Sequence, residues 1–242
     1  MIKIRNIYRT FGQKQVLKGA TLTVNKGENY LLIGRSGAGK TVLLKNILGL
    51  LRPDSGTIAI DGVDITQLAK KKLEKVRLQF GLVFQGSALF DFLTIEENVG
   101  FFFYQHTKLK KFEIRKKVTE TLALVGLEGI EDMYPYELSG GMRKRVGLAR
   151  SLSLGPKIML YDEPTTGLDP ITTKMVNDLI ILTQKEYSNR GMTSVIISHD
   201  VKASLMISDF IAFLDRGRIV EYLPASEFAN SSNSLVQEFI NL

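Results

Sequence analysis

An α/β fold around a mainly parallel sheet is what this sequence predicts, on three observations. Short runs at residues 30–33, 158–161 and 194–197 are almost wholly apolar, as strands buried on both faces are. Each run ends abruptly at Gly34, Asp162 or Ser198, and that edge of an open α/β sheet is where ligands bind. Finally, helical patterns separate the runs, beginning with residues 42–48 directly after a glycine-rich loop.

Taken in order, residues 2–8, 16–24 and 57–61 read as strands, and residues 30–33 run into the glycine loop. Another apolar run, 82–84, ends at Gln85. From about residue 86 to 155 the strand signals vanish and the composition turns helical and basic, with Lys108, Lys110, Lys111, Arg115, Lys116 and Lys117, which predicts a helical insertion. Strands return at 158–161 and 194–197. A hairpin, 210–214 with 218–222 around Asp215-Arg216-Gly217, closes a single domain of residues 1–225. In the tail, 226–242, Leu235, Phe239 and Leu242 recur at i, i+4 and i+7, an apolar stripe on a helix that starts after Ser232-Asn233-Ser234.

At 242 residues the chain is long enough to bury a sizeable core without covalent staples. It has no cysteine and two histidines, which excludes disulfides and thiolate metal sites and leaves few ligands for a structural zinc. The net charge of +7 suits nucleic acid, an anionic membrane face, a partner with acidic loops or a solvated surface, and charge alone does not choose among them. Residues 1–6 are too polar for a signal peptide, and the most apolar stretch, 82–104, is broken by Gln85, Asp91, Glu96, Glu97 and Asn98. The expectation is a soluble protein with no membrane span of its own.

Gly34-Arg35-Ser36-Gly37-Ala38-Gly39-Lys40-Thr41 matches the P-loop pattern, preceded by a strand and followed by a helix as that pattern requires. Its glycines let backbone N–H groups close on phosphate, Lys40 reaches the β and γ groups, and Thr41 serves Mg²⁺. At the end of the strand 158–161 stand two adjacent carboxylates. Asp162 suits the metal, and Glu163 suits orienting or deprotonating a water. His199, after the next apolar strand, reaches the same sheet edge, where it could hold that water in line. Gln85 could reach metal or water through its amide. A second anion-binding pattern lies at residues 137–146, Glu-Leu-Ser-Gly-Gly-Met-Arg-Lys-Arg-Val, where Ser-Gly-Gly precedes a basic helix.

This ordered set resembles the ATP-binding cassette (ABC) family over essentially the whole chain. It comprises an aromatic position at Phe11, Walker A at 34–41, a Q-loop at Gln85, a signature at 138–142, Walker B at 158–163, a D-loop at 167–169 and the switch His199. The resemblance implies a P-loop NTPase fold with a RecA-like parallel core, an antiparallel β subdomain and an α-helical subdomain at the insertion. It further implies Mg²⁺-dependent ATP hydrolysis, with Glu163, His199, Lys40 and Gln85 in catalysis and Thr41, Gln85 and Asp162 around Mg²⁺. ATP contacts would come from Phe11, residues 34–41 and Thr166. In the family the signature binds ATP held by the other subunit, so Ser139, Gly140 and Gly141 would act in trans and Asp169 would lie at the seam of a head-to-tail homodimer. The usual fifth signature residue is glutamine; here it is Met142, which loses a polar contact but keeps Ser-Gly-Gly.

The stretches 135–150 and 161–172, residues 87–90 and the tail around Phe239 are similar to the ATPases of MCE-type (mammalian cell entry) lipid transporters. That similarity implies integral membrane permease partners, an MCE-domain substrate-binding protein, a small accessory protein, and a place on the inner face of the cytoplasmic membrane. In the family the Q-loop region also forms a groove for the permease, with Leu89 and Phe90 as candidate walls. Another cargo (a drug, polypeptide or lipoprotein), a nucleic-acid-linked ABC ATPase, and a regulatory nucleotide-binding module without turnover, which Glu163 and His199 disfavour, are the alternatives. No nucleic acid is expected, because the long heptad insertion of chromosome-maintenance relatives and a second cassette are both missing.

Overall fold

The computed structural model describes residues 1–188, 191–198, 205 and 207–241. Strands β1 (Ile2–Phe11) and β2 (Lys14–Val24) lead to β3 (Asn29–Ile33), the glycine loop and α1 (Lys40–Ile47). Next come β4 (Ser55–Ile60), the short β5 (Val63–Asp64), α2 (Lys70–Arg77) and β6 (Phe80–Val83). Helices α3 (Ile95–His106), α4 (Lys111–Leu124) and α5 (Gly140–Leu152) intervene before β7 (Ile158–Asp162), α6 (Pro170–Ser188) and β8 (Thr193–Ile197). The hairpin of β9 (Phe210–Asp215) and β10 (Arg218–Pro224) precedes α7 (Ala225–Phe228) and α8 (Ser234–Ile240).

A four-stranded antiparallel sheet runs β2-β1-β4-β5, and a six-stranded sheet runs β10-β9-β3-β8-β7-β6, parallel from β9 to β6. Successive strand residues point to opposite faces, and this alternation divides the core. Leu31, Ile33, Met159, Tyr161, Ile196 and Phe213 pack on α3, α4, α5 and α6. Their neighbours Tyr30, Leu32, Ile158, Leu160, Val195 and Leu214 pack on α1 and the antiparallel sheet. Burial on both faces explains why these strands read as unbroken apolar runs. The apolar run that ends at Gln85 is β6, the edge strand of the larger sheet.

In the helical region, α3 opens on a capping box in which Glu97 N donates to Thr94 Oγ1 (3.2 Å) and Thr94 N to Glu97 Oε2 (2.9 Å). Fully buried Asn98 staples the preceding turn, accepting from Phe90 N at 2.8 Å and donating to Leu93 O at 3.1 Å. Among the described residues, no helix is long and apolar enough to cross a membrane.

The tail corrects one expectation. Helix α8 starts at Ser234, capped by Asn233, but its inward stripe is Val236, Phe239 and Ile240; Leu235 is exposed, and Leu242 lies outside the described residues. The spacing i, i+3, i+4 lies on one helix face as well as i, i+4 does, and the surface it docks against decides the phase.

Gly217, in the β9–β10 turn, is pinned from two directions: its N–H donates to Ala38 O (3.1 Å), and its carbonyl accepts from Lys18 N (2.8 Å). With φ at +83°, an added Cβ would stand 2.3 Å from Val16 O. Gly217→Ala is therefore expected to cost about 1–3 kcal/mol, read as a lower urea midpoint at unchanged m value.

Candidate functional site

Register brings the strand ends together. Leu32 of β3 lies beside Ile197 of β8, Ile197 beside Asp162 of β7, and Tyr161 beside Val83 of β6. The loop 34–41 leaves β3 at this edge, Asp162 ends β7, and Gln85 follows β6 by two residues. Here a cleft of about 660 Å³ opens, lined by every residue from Gly34 to Val42 together with Lys14, Val16, Glu163 and Phe239.

The loop runs against its neighbours so closely that a Cβ on Gly34 would stand 2.1 Å from Leu214 O, which only glycine permits. Helix α1 starts from Gly39 without a side-chain cap, so its first turn is suited to an anionic ligand. Buried Lys40 donates from Nζ to Gly34 O at 2.7 Å and Arg35 O at 3.3 Å, holding the loop closed beneath the cleft. Burial pushes the Lys40 ammonium pKa down, and the carboxylates of Glu163 and Asp162 oppose that shift. For Asp162, burial and then the Glu163 charge push the carboxyl up, while Lys45 and Lys40 pull it down.

Glu163 sits in left-handed backbone (φ +51°), at a cost of about 1–2 kcal/mol for a residue with a Cβ. Its N–H donates to Ile197 O at 2.9 Å, and its Oε2 accepts from Thr166 Oγ1 at 3.0 Å. Strain of this kind collects at functional sites.

One face of α5 holds the end of β6 and the segment after it. Lys144 Nζ donates to Gln85 O, Arg150 Nη1 to Ala88 O at 2.7 Å, and Ser151 Oγ to Leu82 O at 2.6 Å. Between them Gly147 packs so closely that a Cβ there would meet Ser87 O at 3.3 Å. Lys144 is buried, and burial pushes its pKa down against the pull of Glu163.

Ser139 caps α5, accepting from Met142 N at 3.3 Å, with Gly140 and Gly141 in the first turn; none of the three lines the cleft. Asp169 opens α6, accepting from Ile171 N and Thr172 N, each at 3.0 Å, and from Thr172 Oγ1 at 2.5 Å. Those bonds, led by Thr172's, hold its carboxyl below the usual range. Phe11 is exposed, its ring 4.8 Å under the Arg9 guanidinium, and does not line the cleft. His199 lies outside the described residues. Sequence reasoning missed Lys14 and Val16 in the cleft wall, Lys45 as a charge acting on Asp162, and Lys144 on the Gln85 carbonyl. Only Lys45 left a local signal, standing one turn after Thr41 on α1.

The model of the ABC transporter family matches residues 17–166. The chain belongs to that family. Over 99% of its length it is 41% identical to the probable ribonucleotide transport ATP-binding protein mkl of Mycobacterium bovis, of which it spans 66%. Also over 99% of its length, it is 41% identical to the chloroplastic protein trigalactosyldiacylglycerol 3 of Arabidopsis thaliana, spanning 73% of that protein. Among solved structures, the dimeric post-hydrolysis state of the ATP-binding cassette MJ0796 bound to ADP and Pi superposes with TM-score 0.83 at 31% identity, covering 93% of this chain and 99% of that one. The chain is thus an ABC ATPase cassette, and its two sheets with a helical region between β6 and β7 are the fold expected from its motifs.

Within the cassette, ionising Asp162 works against burial and the neighbouring Glu163. Its folded pKa lies above the unfolded value, so its contribution to stability is fully present below the unfolded pKa and is lost as pH rises through the folded one. Asp162→Asn is therefore expected to raise Tm at pH 7 in chelator-containing, nucleotide-free buffer. The gain over wild type should shrink on acidification toward pH 4, as thermal melts across that range would record.

Proposed function

We propose that the chain is the ATP-hydrolysing subunit of an ABC transporter for lipid, working as a homodimer on membrane permease subunits. The observation that carries the catalytic part is the cleft shared by the loop 34–41 and Glu163 at the sheet edge. Its donor set fits a nucleotide triphosphate. Backbone N–H groups of residues 36–41 and the Lys40 ammonium would hold the phosphates, and Lys14 and Val16 would line the remainder beside Phe11. Thr41, Asp162 and the Gln85 amide would hold Mg²⁺, which when bound neutralises developing phosphate charge. Burial of Asp162 fits that role, because a dication offsets a poorly solvated carboxylate.

Glu163, oriented by Thr166, takes the proton of the attacking water or aligns it, and His199 would hold it in line. Ser139, Gly140 and Gly141 lie away from the cleft of their own chain, which supports their use on the nucleotide of a second copy, with Asp169 at the seam. The α5 clip would then tie the signature helix to the Gln85 segment, so that contact with a partner's nucleotide reaches the metal side of its own.

Next to that segment, Phe90 packs with Phe92 and Phe101 at ring distances of 5.8 and 5.0 Å under Arg150, and Phe92 is 78% exposed. This aromatic surface suits an apolar permease helix at the inner face of the cytoplasmic membrane. Lipid as cargo rests on the similarity of residues 87–90, 135–150 and 161–172 to MCE-transporter ATPases and on the Arabidopsis relative, whose name is that of a glycolipid. An MCE-domain protein and a small accessory protein are the partners this reading carries. A phosphorylated polar cargo is the second reading, favoured by the mycobacterial relative's naming for ribonucleotide transport.

Glu163→Gln is expected to retain ATP binding while turnover falls about a hundredfold or more, measured by phosphate release and equilibrium binding. Near-wild-type turnover would remove Glu163 from catalysis. Affinity purification of the chain from its own membranes, followed by lipid and protein mass spectrometry, is expected to recover a permease with an MCE-domain protein. Recovery of a permease with bound nucleotides and no lipid partner would favour the second reading.

A further inference from the structure

Helix α8 reaches the phosphate loop of its own chain. Val236 is fully buried, and the Phe239 ring stands 5.0 Å from that of Phe213 while Phe239 also lines the cleft. Gln237 Nε2 ties the helix back to Ala229 O and Ser231 O at 3.0 and 2.9 Å. Beside Phe239, the Glu238 carboxylate meets the Arg35 guanidinium at 2.6 Å. Arg35 is the second residue of the loop 34–41, so the tail makes an ion pair with the loop itself.

A helix that only sealed the β9–β10 hairpin would need Val236, Phe239 and Ile240, but not Glu238 on Arg35. That added contact opposes a polyanion, and Phe239 also borders the cleft. The phosphates of a nucleotide in this loop would compete with Glu238 for the Arg35 cation. A carboxylate held against the loop repels those phosphates, and the Phe239 ring takes up volume at the cleft wall.

We propose that α8 is a displaceable strap on the nucleotide site, which lowers ATP affinity while docked and is loosened when ATP binds. The two effects are one coupling free energy seen from either ligand. Both partners of the Arg35–Glu238 pair are about half exposed, so its share is that of a surface ion pair, about two- to fivefold in affinity. The proposal rests on the cleft being the ATP site.

The test uses the full chain, with Mg²⁺ and a fluorescent non-hydrolysable ATP analogue for affinity, and hydrogen exchange of residues 234–241 for the strap. Glu238→Gln and Glu238→Ala are expected to bind the analogue about two- to fivefold tighter than wild type at low salt. High salt should narrow the difference, since screening weakens the exposed pair. In wild type, saturating analogue should speed exchange in residues 234–241, and that response should diminish in Glu238→Gln. Unchanged or weaker binding by both variants, with wild-type binding intact, would overturn the strap alone. Slower exchange of the tail on binding would make it a brace instead. A folded wild type that binds no analogue would sink the site reading and the strap together.

Discussion

The hydrogen-bond ladder joining β3, β8, β7 and β6 is the constraint on which the rest depends. Parallel pairing puts the carboxyl ends of all four strands on one edge, and the register aligning Leu32, Ile197 and Asp162 sets the phosphate loop one strand away from the carboxylates. A shift of one residue in β7 would turn Asp162 to the other face and put Tyr161 in its place. The two apolar layers resist that shift, because every residue of β7 before Asp162 is buried in one or the other.

Upon that frame the cassette places charge where water is scarce. Burial disfavours the ionised forms of Lys40, Asp162 and Lys144; the Glu163 charge offsets this for the two lysines and adds to it for Asp162, which Lys45 and Lys40 pull back. Such a cluster costs folding free energy in return for groups already desolvated and aimed before a ligand arrives. The strained backbone of Glu163 belongs to the same arrangement, as do the bonds by which α5 holds the Gln85 segment. Helix α5 and the Gln85 segment are therefore held together within one chain.

How much was legible beforehand depended on how local the chemistry is. The glycines and Lys40 of the loop declare themselves because a phosphate cradle is made by consecutive backbone units. The adjacent carboxylates stand out because an unbroken apolar strand delivers them. Lys144 could not be read that way, since its partner Gln85 lies 59 positions earlier and nothing in the residues around Lys144 marks it as buried. Lys14 and Val16 were not read either, because the β1–β2 hairpin brings them to the cleft wall from the other sheet, with Phe11 paired to Lys14 across that hairpin. In the tail, the helix was legible, and its buried face was not.

By itself the sequence determined the α/β class, the order of the motifs and the helical insertion, because periodicity and consecutive spacing dictate these within a few turns of chain. Only the tertiary structure decided which distant groups meet: Lys144 with Gln85, Gly217 between β2 and the loop, Glu238 with Arg35. Those contacts follow from sheet register and helix docking, which are set by the summed packing of two apolar layers. No single segment carries that information.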